Sequence, residues 1–261
     1  MEASFVFTNM GWFVAICVIL FLFLVLMLLL TYGQRYPMTK WERMRPMLGD
    51  DYFSAEEKPI IMEQAVTINA PTDLVWRYVK QTDQQKAGWY SFDWIERLFT
   101  FDIENCYLLK PSWQKLEKGD YMWMHQPEFP FVMGNWAQEV DEENHRVWFV
   151  SDTRKHPTDI HAPGAMKLIF KQLAWAYSWE VAPLDEWHCR LRTRLRVYWE
   201  PRYLSAVFMG AFFVADTYMF SGLCSRMRRL CNGTLYISNK FLSNKFVLPE
   251  EQIDGCGPIE K

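Results

Sequence analysis

From Gly11 to Leu30 the chain reads GWFVAICVILFLFLVLMLLL, apolar throughout and without any period that would mark a wet face. About 20 uncharged residues in a row are what a helix needs to cross a hydrocarbon core of roughly 30 Å. The run predicts a transmembrane helix, with Trp12 at one end and Tyr32 and Tyr36 at the other suited to the two headgroup zones. A cleaved signal peptide needs a basic start and a small-residue cleavage site, whereas this chain starts with acidic Glu2 and leaves the run through Leu-Leu-Leu-Thr-Tyr. Arg35, Lys40, Arg43 and Arg45 follow the run and no Lys or Arg precedes it. The charge rule therefore places the N-terminus outside and the rest of the chain in the cytoplasm, in a cell membrane.

Residues 34–60, with Pro37, Pro46 and Pro59 in a mixed-charge run, show little periodicity and read as a juxtamembrane tether. Folded patterning begins near Ile61. MEQAVTI reads as a strand, and Asn69-Ala70-Pro71-Thr72 opens a helix carrying Leu74, Val75, Tyr78 and Val79 at helical spacing. In AGWYSFDWIERLF, residues 87–99, the spacing of Trp94, Ile95, Leu98 and Phe99 predicts a core-facing helix that leaves Glu96 and Arg97 wet.

Strand patterns follow at Tyr121–His125, Phe131–Trp136, Val147–Val150, Trp175–Val181 and Cys189–Trp199. The last alternates most clearly: Leu191, Thr193, Leu195, Val197 and Trp199 on one face, Arg190, Arg192, Arg194 and Arg196 on the other. Trp175, Tyr177, Trp179 and Val181 share one face of the preceding strand, and Pro183–Glu186 reads as the turn between antiparallel partners.

The stretch from Tyr203 to Leu223 is apolar enough to raise the question of a second span. Asp216 would then lie at membrane depth, and Arg226, Arg228 and Arg229 would emerge outside, against the charge rule. It reads instead as a long buried helix with a stripe through Leu204, Phe208, Ala211, Ala215, Met219 and Gly222 and a basic last turn. Strands in a meander with helices set apart from them define an α+β domain over residues 61–232, followed by a tail at 233–261.

Charge and composition narrow the function classes. A net charge of -3 without a basic excess argues against nucleic-acid binding. The six cysteines form no CxxC pair, so neither a disulfide framework nor a zinc site is indicated. The 13 Trp and 14 Met supply large adaptable apolar surface of the kind used for apolar ligands or partners.

The ordered set INAPTDLVW, KAGWYSFDWIERL, LLKPSWQKLEKGD, AWAYSWEVAPL, RTRLRV and MFSGL resembles the SRPBCC superfamily of START-like and polyketide-cyclase-like helix-grip proteins, from about Ile61 to Arg229. The resemblance implies a curved antiparallel sheet gripping a long C-terminal helix, with an apolar cavity between them. On it, Gly88, Trp89, Tyr90, Ser91, Asp93, Trp94 and Glu96 fill a GWYSxDxxE motif, Gly119-Asp120 a GD turn, and Gly222 the small residue of the last helix. Lys86 stands where Arg is common, and Phe92 where Tyr is common, which removes a hydroxyl.

Fold alone leaves the chemistry open. Asp93 and Glu96, three apart on a helix, suit acid–base work when one is desolvated, but a capping or ion-pair role with Lys86 and Arg97 is the favoured reading. His156 and His161 flank Asp159 in a Pro-bounded loop without helical metal-ligand spacing, and His125 and His188 have no nucleophile signature near them. No catalytic constellation, metal or cofactor is expected. The arginine face suits either anionic lipid headgroups or, preferred, cross-strand pairing with acids such as Glu180.

The expected function is a membrane-anchored domain that binds a membrane lipid or other hydrophobic small molecule. Its ligand-binding residues are expected to be Trp89, Tyr90, Trp94, Trp175, Trp179, Phe208, Phe212 and Met219. A cyclase or aromatase-type enzyme, and a subunit that meets a protein partner in a membrane complex, are the alternatives. Gly222 in mid-helix, where Gly costs roughly 1 kcal/mol against Ala, is expected to face inward, with Phe208, Phe212 and Met219 opposite Trp175, Trp179, Leu191 or Leu195.

Overall fold

The computed structural model describes residues 2–98, 101–126, 131–155, 171–203 and 206–233. Helix α1 (Glu2–Gly33) is the apolar run, and its stretch Trp12–Gly33 is long and apolar enough to cross a bilayer. Its large apolar side chains from Trp12 to Leu24 stand exposed, because no element among the described residues covers them. Helix α2 (Lys40–Met44) follows, then β1 (Ile60–Ile68), α3 (Thr72–Lys80) and α4 (Asp93–Leu98). Five further strands come next: β2 (Tyr121–Gln126), β3 (Phe131–Asp141), β4 (Arg146–Asp152), β5 (Gln172–Pro183) and β6 (Cys189–Glu200). Helix α5 (Ala206–Cys231) closes the described chain.

All strand pairs are antiparallel, in the order β1-β6-β5-β4-β3-β2, so the first strand docks beside the last and the meander runs outward from it. Period-two alternation sorts the side chains. Met62, Val66, Val147, Phe149, Trp175, Trp179, Leu191, Leu195 and Trp199 share one core with Leu223, Cys224, Met227 and Leu230 of α5. The sheet therefore grips the last helix, and the expected α+β helix-grip architecture is what the structure shows.

The opposite face shows the expected pairing of an arginine with Glu180 but departs from expectation in being covered. Arg192 and Arg194 are each only 2% exposed, because residues 36–58 lie across this face as a strap rather than hanging free as a tether. Arg190 Nε donates to Glu42 Oε1 at 2.7 Å, and Arg194 donates to Glu63 Oε1 at 2.6 Å and Asp50 Oδ2 at 2.5 Å. Arg192, opposite Glu180 in the ladder, donates to its Oε2 at 2.5 Å, and Arg196 pairs with Asp50. Apolar contacts fasten the strap too: Met38 and Met47 bury against Ala65, and Phe53 against Ala174, Ala176 and Tyr198. Glycine is required at one point, since Gly49 has φ +74° and a Cβ there would lie 2.4 Å from the Trp148 ring.

Candidate functional site

Inner-facing residues stack in rows across β4, β5 and β6. Phe149 lies beside Tyr177 and Tyr177 beside Leu195; one row on, Val147 lies beside Trp179 and Trp179 beside Thr193. Trp175 spans the row on the other side, between Ser151 and Val197, and its indole N–H donates to Asn135 Oδ1. Over these rows runs α5, presenting Asp216, Phe220, Leu223 and Met227 at turn-by-turn spacing. The Phe220 and Tyr177 ring centroids are 5.1 Å apart, as are those of Tyr177 and Trp179.

Among the described residues, enclosed side-chain polar atoms without a partner fall in two places: Trp89 Nε1, Glu96 Oε2, Asn105 Oδ1 and Gln114 Oε1 in the 87–114 segment, and the rest in this interior. Tyr177 Oη, Trp179 Nε1, Trp199 Nε1, Ser151 Oγ and Asp216 Oδ2 are all shut off from solvent without a hydrogen-bond partner. Native interiors satisfy nearly all such groups, so five around one helix–sheet interface call for an explanation. Burial alone pushes the Asp216 carboxyl up to about 7. Burial also lifts the Tyr177 hydroxyl well above its usual range, and the neighbouring Asp216 adds to the shift. The arrangement offers a ligand two indole donors, two hydroxyls and one carboxyl, set among aromatic rings.

The GWYSxDxxE stretch occupies a different place. Gly88 has φ +70°, and a Cβ there would meet Asn105 Oδ1 and Glu104 O at 2.8 Å. Tyr90 also takes a positive φ of 51°, and its fully buried hydroxyl accepts from Gln81 Nε2 at 2.7 Å. Ser91 Oγ donates to Glu96 Oε1 at 2.5 Å, Asn105 Nδ2 donates to Ser91 O at 2.9 Å, and Arg226 of α5 reaches Ser91 O and the Tyr107 hydroxyl. Asp93 pairs with Arg97 at 3.2 Å and lies 3.4 Å from Arg226. These contacts form a clamp between the 87–107 segment and the last helix, built mainly for structure.

Several expected placements are corrected here. Trp94 is 57% and Leu98 72% exposed, so they are not core residues. The inward side of α4 instead carries Asp93 and Glu96, because Arg226 and Ser91 supply hydrogen bonds that an apolar pattern does not reveal. Glu96, expected in water, has an enclosed Oε2, and burial pushes its carboxyl up to about 7 despite the Ser91 hydrogen bond. Gly222 is buried as expected but faces Phe92 rather than the sheet: a Cβ there would lie 2.5 Å from the ring. The inward stripe of α5 is rotated accordingly, leaving Ala215 exposed and Met219 half-buried.

Of the expected ligand-binding residues, the structure brings Trp175 and Trp179 together on the inner face. Trp89 and Tyr90 are buried in the clamp region. Phe208 and Phe212 belong to α5 with side chains outside the described residues, as is that of His125; Phe99, His156 and His161 also lie outside them. Among the described residues no group of His, Cys, Asp and Glu is arranged to hold a metal. Sequence reasoning did not select Tyr177, Trp199, Ser151 or Asp216. A signal for two of them was present: Tyr177 shares the strand face of Trp175 and Trp179, and Asp216 is the lone acid in an apolar stretch.

No family model and no curated protein matches the chain. Solved structures similar to it include a hypothetical protein from Helicobacter pylori, with 13% identity, a TM-score of 0.45, and coverage of 74% of this chain and 100% of that one. Truncated norcoclaurine synthase from Thalictrum flavum matches with 12% identity, a TM-score of 0.40, and coverage of 66% and 92%. The Zhui aromatase/cyclase from Streptomyces sp. R1128 matches with 12% identity, a TM-score of 0.35, and coverage of 66% and 95%.

Proposed function

We propose that this chain is a single-pass membrane protein of the helix-grip, START-like type, whose domain binds a hydrophobic small molecule or lipid between the sheet and α5. One observation carries the reading: the polar atoms of Tyr177, Trp179, Trp199, Ser151 and Asp216 are buried among aromatic rings without partners. Leaving such groups unpaired is costly, and a ligand with its own polar atoms removes that cost on binding. Helix α1 supplies the second support. Anchored through residues 11–30, with the N-terminus outside and the domain on the cytoplasmic side, the protein samples the bilayer in which apolar ligands concentrate.

Extraction of the full chain, purified in mild detergent, tests the proposal by mass spectrometry of the organic phase and of the intact protein. The expected result is one apolar molecule retained per chain through detergent exchange and released on denaturation. A chain that carries no such molecule and is not stabilised by added membrane lipid extract would overturn it.

A cyclase-type enzyme is the second reading, favoured by one feature: a carboxyl with one enclosed oxygen, pushed up to about 7 near the Tyr177 hydroxyl, within proton-exchange range at neutral pH. Chemical change of the retained molecule on incubation, lost in an Asp216→Asn variant, would separate it from binding alone.

A further inference from the structure

The unpartnered interior atoms are divided by chemistry as well as by position. On the sheet side, the Trp179 and Trp199 indoles can only donate, and the Ser151 and Tyr177 hydroxyls donate as readily as they accept. Among the described residues the helix side offers one such atom, Asp216 Oδ2, and the carboxylate, the form present above about pH 7, only accepts. No cation of α5 reaches back to neutralise it. Arg226 is turned to Ser91, Asp93 and Tyr107 on the clamp side, and Arg228 lies over the Tyr36 ring, 5.7 Å from its centroid. The arginines of β6 that lie closest in the sheet, Arg194 and Arg196, point through the opposite face to Asp50. Phe220, one turn along α5, is taken up by ring contact with Tyr177.

We infer that Asp216 anchors the hydroxyl of a lipophilic alcohol or phenol, which donates to the carboxylate while its oxygen accepts from the Tyr177 O–H. This rests on the reading of the helix–sheet interior as a ligand site, and it names the class of molecule that fits there. A hydroxyl is the small group that both donates and accepts, which is what a carboxylate on one wall and a hydroxyl on the other require. Ethers and hydrocarbons leave Asp216 without a donor. Above about pH 7 a fatty-acid carboxylate would meet Asp216 with like charge. An ammonium would pair with Asp216 but would leave the Tyr177, Trp179 and Trp199 donors with nothing to accept from them. Further oxygen atoms on the ligand body would find the two indole N–H groups.

Three probes of matched shape decide the matter: 2-naphthol, 2-methoxynaphthalene and 2-naphthylmethylamine. Each is titrated by fluorescence at about pH 8, where Asp216 is ionised, against the full chain in lipid nanodiscs, with empty nanodiscs as the partition blank. Wild type should bind the naphthol at least about tenfold more tightly than the ether, since a site built around a hydroxyl rejects the analogue that lacks it. Asp216→Ala should bring the two within about twofold while leaving ether binding nearly unchanged, and Tyr177→Phe should reduce the preference in part. Equal wild-type affinity for naphthol and ether overturns the anchor and leaves the binding reading standing. Tightest binding of the amine overturns the alcohol class in favour of a cation. Failure of all three probes to bind wild type counts against the anchor and the binding reading together.

Discussion

The two faces of the same sheet treat polar groups in opposite ways. On the strap side, four arginines of β6 meet Glu42, Asp50, Glu63 and Glu180, and most of those carboxylates come from residues distant in sequence. On the helix side, hydroxyls, indoles and one oxygen of the half-buried Asp216 carboxyl are enclosed and unpaired. Buried polarity that is fully satisfied holds a structure in one arrangement, whereas buried polarity left open destabilises it until something binds. One face of the sheet thus holds its buried polar groups in satisfied pairs, and the other leaves them open, as the proposed ligand site requires.

The largest effect should come from breaking the satisfied face. Arg194→Met removes the guanidinium shared by Asp50 and Glu63, leaving Asp50 to Arg196 and Glu63 to the more exposed Arg43, and should cost about 3 kcal/mol by urea denaturation. A loss below about 1 kcal/mol would mean that water reaches this face and that the two sides do not differ as described.

The open face should respond in the reverse sense. Asp216 keeps its proton up to about 7 in the folded chain, against 3.8 when solvated, so the native state binds more protons than the unfolded state between those values. Wild-type stability should therefore fall more steeply as pH rises from about 4 to 7 than that of the ligand-free Asp216→Asn variant, which keeps only the shallower slope of Glu96, also pushed up to about 7. At pH 8 the variant should be the more stable, by roughly 2–4 kcal/mol. Parallel pH profiles would show that the carboxyl is hydrated. The smallest effect belongs to neither face: Trp94→Ser and Leu98→Ser, on the wet side of α4, should each shift stability by no more than about 0.5 kcal/mol in the same assay.

Much of this architecture was legible in the chain, and the part that was not has a common cause. Alternation in β5 and β6 placed Trp175, Trp179, Leu191 and Leu195 inward, because a period of two is a local property. The strap was illegible since residues 36–58 have no period of their own; their fixed position follows from Glu42 and Asp50 meeting arginines well over a hundred residues away. Helix α4 was misassigned for the same reason. Six residues cover too few turns for apolar spacing to define a face, and Arg226, from another part of the chain, decided which side turned inward. At the candidate site, strand alternation reached the rings but not their unpaired atoms, because whether a hydroxyl finds a partner depends on every neighbour in space.

The end of α1 is fastened to the grip helix by hydrogen bonds across the fold. Gln64 Nε2 donates to the carbonyls of Gly33 and Thr217, each at 2.9 Å, and Ser221 Oγ donates to Gly33 O at 2.8 Å. Gly33 itself is pressed so close that a Cβ would stand 2.8 Å from Thr217 Cγ2. A domain attached in this way is a bracket and not a kite on a string. With α1 in a bilayer, its tilt and rotation become those of the whole body, and its search is confined to the patch of leaflet beneath it. The distance at which it meets anything is then set by lateral diffusion of the anchor rather than by the reach of a linker.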